Sequence, residues 1–185
     1  MKDIFALEMN ISCPNVKKGG LSCGQDAIHV HKLTSEVRVK TKKPLIVKLT
    51  PNVTRITDIA KAAEDAGADA VSLINTVKAM KIDIRTGRPI LGNGMGGLSG
   101  RAIKPIAVNA VYEVAKAVKI PIIGMGGIFS AEDVIEFFMA GASCVQIGSA
   151  VFYTPDICSS IYKDLNDFCD NNKIKKLSDL KGRAH

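Results

Sequence analysis

The sequence predicts an α/β protein built on a parallel sheet of five strands, and three observations predict it. Short apolar stretches alternate with helix-length amphipathic segments along the whole chain, and a strand followed each time by a helix implies parallel pairing. Glycine pairs or glycine–serine steps, Gly126-Gly127 and Gly148-Ser149, follow the last two of these stretches. An apolar share of 46% with only 5% aromatic residues suits close helix-on-sheet packing in a chain of 185 residues, which needs one domain only. Two architectures satisfy the pattern: a five-stranded doubly wound sheet, or the last five units of a (βα)₈ barrel, whose full set takes about 250 residues. Periodicity leaves both open. The glycines lean toward the barrel, because they follow the strands where such barrels bind phosphate.

The first strand is read from Phe5, Leu7, Met9 and Ile11, which alternate with Ala6, Glu8, Asn10 and Ser12. It runs into Cys13-Pro14, and Pro14 cannot continue a ladder, so the thiol stands where strand gives way to loop. A glycine-bearing loop, 17–24, precedes a helix over about Asp26 to Lys42. Pro44 opens the second strand, Leu45 to Leu49; the turn Thr50 to Thr54 leads into a helix ended by Gly67 in the usual C-terminal position. The third strand is Ala70 to Ile74, closed by Asn75-Thr76. A polar excursion to Gly100 follows, unusually long for a structureless loop in a compact domain and so a functional candidate, with a small hairpin at Asp83 to Ile90. The next helix spans about Ile103 to Val118 and the fourth strand Pro121 to Gly124. Ser130 caps a helix to Met139, stopped by Gly141. Cys144 to Ile147 is the fifth strand, Pro155 to Asp170 the last helix, and a basic tail ends the chain.

No apolar run has the length of a membrane span and no charged leader precedes a hydrophobic segment, so a soluble cytoplasmic protein is expected. The five cysteines, Cys13, Cys23, Cys144, Cys158 and Cys169, are odd in number and scattered, which indicates neither a disulfide framework nor a zinc site. Cys13 and Cys23 with His29 and His31 match no common metal spacing, and no metal is expected. The net charge of +7 is spread over small lysine groups without interleaved aromatics; a solvated basic surface is preferred to an anion-attracting one, and nucleic acid comes last.

Several residues have the chemistry of a site. Gly126, Gly127, Gly148 and Ser149 occupy adjacent strand–helix turns, where backbone N–H groups approach an anion closely; tight turns also need glycine for its own sake. Lys48 interrupts the apolar strand Leu45 to Leu49, either as a solvated lysine at the sheet's mouth or as a cation facing a bound anion, the second being favoured because a hidden unpaired ammonium is costly. Cys13 is a candidate reactive thiol beside a loop able to serve as a lid, rather than an inert buried one. Asn10, Asn15 and Asn75, uncharged donor–acceptor groups near strand ends, suit a small polar ligand such as a cyclic imide, or serve as turn residues and caps.

At Asn10-Ile11-Ser12-Cys13-Pro14-Asn15-Val16 the chain closely resembles the dihydroorotate dehydrogenases, specifically the NAD-linked class 1B catalytic subunits. The resemblance continues through Val47-Lys48-Leu49-Thr50-Pro51, Ile74-Asn75-Thr76, Gly96 to Gly100, Ile123 to Gly127 and Gly148-Ser149-Ala150, and covers essentially the whole chain. It implies a (βα)₈ TIM-barrel fold carrying FMN, incomplete here at about five of eight βα units, with residues 1–185 as a partial FMN-binding domain and an insertion at about 77–100. It implies oxidation of dihydroorotate to orotate in pyrimidine biosynthesis, with Cys13 as the base that removes the C5 proton while the C6 hydride passes to the flavin. Asn10, Asn15, Asn75 and Thr76 would hold the substrate. Asn10, Lys48, Ile74 and Gly100 would contact the flavin, and Gly126, Gly127, Gly148 and Ser149 its phosphate. A homodimer and an electron-transfer subunit with FAD and an iron–sulfur cluster are the implied partners, and NAD the final acceptor. The first strand resembles the family's fourth, so its first three are expected to be missing. Ser149 stands where the family usually has Thr, Arg101 where Pro is usual, and Ala79 where Gly is usual. The alternatives are a non-catalytic flavin- or phosphate-binding half-barrel, or a dihydropyrimidine dehydrogenase-like enzyme, against which Asn15-Val16-Lys17 argues.

Overall fold

The computed structural model of the chain describes residues 4–11 and 24–185. Nine strands run in chain order: β1 (Leu7–Asn10), β2 (Leu45–Lys48), β3 (Ala70–Leu73), β4 (Val77–Ala79), β5 (Ile82–Asp83), β6 (Arg88–Pro89), β7 (Gly96–Leu98), β8 (Ile122–Met125) and β9 (Cys144–Gln146). The helices are α1 (Ala27–Arg38), α2 (Ile56–Asp65), α3 (Lys104–Ala117), α4 (Ala131–Met139) and α5 (Ile157–Asn171).

Strands β1, β2, β3, β8 and β9 form one sheet in that order, every pair parallel. The helices follow the same order, each packed on the next from α1 to α5. A doubly wound sheet reverses its strand order part-way and carries helices on both faces; among the described residues the strand order does not reverse and the helices pack in one series, so the architecture is that of the barrel. The sheet is also curled. Gln146 Nε2 on β9 donates to Glu8 Oε2 on β1 at 3.0 Å, joining the two outer strands across the helix-free face.

The core lies between the sheet and the helices. Val47, Val71 and Leu73 from the strands meet Ile59 and Ala63 of α2, Val111 and Val114 of α3 and Phe137 of α4, all of them buried. The chain specifies these contacts locally: Pro44 leads into β2, whose Leu45 and Val47 turn inward while Ile46 and Lys48 alternate to the other face. Asp26 caps α1 by accepting from Ile28 N, and Gly67, at φ +90, ends α2 as expected. Asp69 ties α1 to the sheet, accepting from Leu45 N and Arg38 Nη1, both at 2.7 Å.

Four expectations are corrected. The excursion after β3 is not structureless: β4 pairs antiparallel with β7, and β5 with β6 beyond it, making a two-tier ribbon whose outer tier is the expected hairpin. The helix expected to reach Lys42 stops at Arg38, whose guanidinium turns back to the carbonyls of Thr41 and Lys43. The basic tail is packed: Leu180 is fully buried, Gly182 N donates to Phe138 O, and His185 stacks on Tyr112 with ring centroids 4.5 Å apart. Phe5, expected on the apolar face of the first strand, is exposed and precedes β1. Among the described residues Cys144, Cys158 and Cys169 are free, and no helix is long and apolar enough to cross a membrane.

Candidate functional site

Because the five strands are parallel, their C-terminal ends share one rim. The turns leaving β2, β3, β8 and β9 open there onto a cleft of about 200 Å³. The end of β2 delivers Lys48 to its lining and the segment leaving β3 delivers Ile74, Asn75 and Thr76; Gly100 joins them after β7, and the turns after β8 and β9 deliver Gly126, Gly127, Gly148 and Ser149. Asn10, at the end of β1, reaches the same rim through Asn75, whose Nδ2 donates to Asn10 Oδ1 at 3.3 Å. Asn75 Oδ1 in turn accepts from Thr76 N at 2.8 Å, so the amide is oriented from both ends. Cys13, Asn15 and all but the last residue of the loop expected as a lid lie outside the described residues.

Lys48 is neither solvated nor alone. Its side chain is 21% exposed, and its Nζ lies 3.5 Å from Glu8 Oε1. The other oxygen of Glu8 holds Gln146, which lines the cleft beside Lys48.

The glycines of the rim divide into two kinds. Gly127 has φ +78, and a Cβ there would lie 2.7 Å from Lys104 Cβ, 2.9 Å from Lys104 N and 3.0 Å from Gly100 O. Close packing of its turn on the start of α3 therefore accounts for that glycine. Gly148 has φ −113 and ψ −91, and a Cβ built on it meets no atom of the described residues within 4 Å beyond its chain neighbours. No close packing calls for glycine at 148, and the residue lines the cleft.

The turn after β8 is fixed by α4. Asp133 Oδ2 accepts from Phe129 N at 2.8 Å and Ser130 N at 3.1 Å, while Ser130 Oγ accepts from Asp133 N, a reciprocal cap. Lys104 Nζ bridges Asp133 and Glu136 at 2.8 and 2.6 Å. Burial opposes ionisation of Asp133, but the Lys104 ammonium and the two backbone N–H groups outweigh it and hold the carboxyl below its ordinary value. The same contacts, with Asp133 first and Glu136 second, raise Lys104.

Sequence reasoning passed over three residues that organise this rim. Asn52 donates to Thr50 Oγ1 and Thr76 O and accepts from Lys78 N, tying the ends of β2 and β3 to the ribbon; the sequence offered only a turn asparagine after a proline. Gln146 and Glu8 fall on polar positions of alternating strands, which read equally well as solvent-facing. A wider groove of about 720 Å³ lies away from the rim, on the helical layer between α3, α4 and α5.

The family model for dihydroorotate dehydrogenase matches residues 3–169. The chain belongs to the dihydroorotate dehydrogenase family. It is 54% identical over 182 residues to the "Dihydroorotate dehydrogenase B (NAD(+)), catalytic subunit" of Anoxybacillus flavithermus, covering 98% of this chain and 58% of that protein. The protein of the same name from Brachyspira hyodysenteriae is 53% identical over 180 residues, covering 97% of this chain and 59% of its own length. The chain thus spans somewhat under two thirds of these curated relatives. A solved structure of DHODH in complex with ferulenol from Eimeria tenella superposes with a TM-score of 0.81 at 24% identity, covering 98% of this chain and 54% of that one. That likeness is one of fold, and it matches the incomplete barrel read from the strand order.

Proposed function

We propose that the chain carries most of an FMN and dihydroorotate site and takes part in the oxidation of dihydroorotate to orotate, in an assembly that completes the barrel. The observation that carries this reading is the convergence of one amide-lined end, Asn10–Asn75–Thr76, and one glycine-lined end, Gly148-Ser149, on a single cleft with Lys48. The residues fit the cofactor. Gly148 leaves room for a close backbone approach that no described neighbour fills, and a phosphate beside unhindered backbone N–H groups is the ligand chemistry such room serves. Bound there, FMN supplies a two-electron acceptor for the substrate.

The chain's own residues do the rest. Gly148 and Ser149, with Gly126 and Gly127, hold the phosphate end; Ile74 gives the ring an apolar wall and Gly100 an open one. Lys48 places a positive charge on the inner face, where it favours an anionic ring. Asn10 and Asn75, already joined, present a fixed pair of amide groups to a cyclic imide, with Thr76 beside them and Asn15 completing the pocket. Cys13, just beyond the end of β1, takes the C5 proton as its thiolate, which needs reach and a deprotonated sulfur together. Residues 77–100 form an insertion on one domain. A homodimer, an electron-transfer subunit with FAD and an iron–sulfur cluster, and NAD as final acceptor belong to the same reading; the relatives' printed names, a catalytic subunit of an NAD(+)-linked enzyme, support a partner subunit and NAD.

A five-stranded sheet whose two edges carry no further strand among the described residues also favours a second reading, a binding half-barrel that holds flavin without turning over. One anaerobic experiment separates them. The chain is mixed with FMN, freed of unbound flavin and given dihydroorotate, and the visible flavin absorbance is followed. Bleaching that is lost in Cys13→Ser supports the dehydrogenase; retained flavin that never bleaches supports the binding module; no retained flavin overturns both for this chain alone.

A further inference from the structure

We infer that Glu8 is a positioning residue: it brackets Lys48 and Gln146 at the cleft and offsets the lysine's charge. The inference deepens the reading above and rests on Lys48 facing the cleft. One carboxylate on β1 uses both oxygens, Oε1 toward Lys48 Nζ at 3.5 Å and Oε2 toward Gln146 Nε2 at 3.0 Å. Its two partners stand on different strands, β2 and β9, and both line the cleft, while Glu8 itself does not. Glu8 and Asn10 share one face of β1, so that strand sets the inner face twice: Asn10 orients Asn75 at the rim, and Glu8 orients Lys48 and Gln146 one step deeper.

Two consequences follow from the charges. A lysine held against a carboxylate is masked as a nucleophile and fixed in place. Beside a flavin, the pair presents less net positive charge than the lysine alone, so Glu8 limits how strongly the site favours an anionic reduced ring over a neutral oxidised one. Loss of the carboxylate with its shape kept, Glu8→Gln, then frees the lysine and tilts the site toward the reduced form. A role in packing alone would weaken both redox forms equally.

The test has two readouts. In the ligand-free chain, competitive acetylation of Lys48, measured by mass spectrometry against Lys78 as exposed reference, is expected to rise at least threefold in Glu8→Gln. Gln146→Leu, which removes only the other arm, should raise it less; it also serves should Glu8→Gln not fold, since any rise then shows that the bracket holds the lysine. In the flavin-loaded chain, the ratio of reduced to oxidised FMN affinity, read from the midpoint potential, is expected to rise roughly fivefold in Glu8→Gln. Unchanged Lys48 acetylation in both variants overturns the bracket. Raised acetylation with an unchanged potential overturns the charge offset. If the wild-type chain retains no flavin, the cofactor reading fails by itself, and the acetylation result still decides the bracket.

Discussion

Replacing each of two rim glycines by alanine separates what the fold needs from what a ligand needs. At Gly127 the φ of +78 alone costs an L-residue about 1–2 kcal/mol. The new methyl would also meet Lys104 N at 2.9 Å and Gly100 O at 3.0 Å, both backbone atoms that move only with their turns; overpacking of that kind costs about 1–3 kcal/mol. Gly127→Ala is therefore expected to lower the unfolding free energy by about 2–5 kcal/mol. At Gly148 φ is negative, −113, with ψ −91, and the methyl meets no described neighbour within 4 Å, so Gly148→Ala is expected to cost about 1 kcal/mol, clearly less than Gly127→Ala. Urea unfolding followed by circular dichroism measures both, with an unchanged m-value showing that the same surface is exposed. Flavin retention should run the other way, falling at least tenfold in Gly148→Ala, whose methyl adds bulk to the cleft lining. A Gly127→Ala protein within 1 kcal/mol of wild type refutes the packing argument. A destabilised Gly148→Ala that holds flavin normally refutes the assignment of position 148 to the ligand.

Asn52→Ala removes a side chain that makes three hydrogen bonds and leaves Lys78 N without its acceptor; a loss of about 1–3 kcal/mol is expected, with faster hydrogen exchange at Lys78 showing that the ribbon has come loose. Asp133 provides the pH test. Its folded value lies below the unfolded one, near 3.9, so its contribution is fully present above the unfolded value and disappears as pH falls through the depressed folded value. Asp133→Asn should therefore be less stable than wild type at pH 7, and the gap should close below about pH 4, in paired thermal melts; a gap that persists at low pH refutes the charge-based account.

The sheet and helices were legible because each follows a local rule. Pro44, Gly67, Ser130 and Gly141 mark ends, and apolar residues recur with the period of the element between them. The ribbon was only half legible. Its outer tier, β5 and β6, turns within a few residues around Gly87, whereas β4 and β7 are three residues each and pair across the whole excursion. Leu180 gave little signal, since Ile174, Leu177 and Leu180 are spread among lysines in a stretch that reads as a solvated tail, and its burial depends on α4 lying beside it. The site residues were legible as types, but the four phosphate-turn candidates looked alike. Only the neighbours of each Cβ distinguish Gly127, held by α3, from Gly148, which faces open space.

The choice between barrel and doubly wound sheet was also within reach of the residues, through the side chains of the strands rather than the glycines. In a doubly wound sheet both faces are covered by helices, and the strands run apolar throughout. Here the register brings Asn10, Lys48 and Ser72 side by side across β1, β2 and β3, and Glu8 and Gln146 lie on the same inner face. The row beside it, Met9, Val47, Val71 and Ile122, is apolar. Polar groups in register on one face have no place under a layer of helices, where each would need its own partner. They are at home on the inside of a curled sheet, where Glu8 pairs with Lys48 and Gln146 and Asn10 with Asn75; Ser72, small enough to fit either face, is the one member of the row whose hydroxyl finds no partner among the described residues.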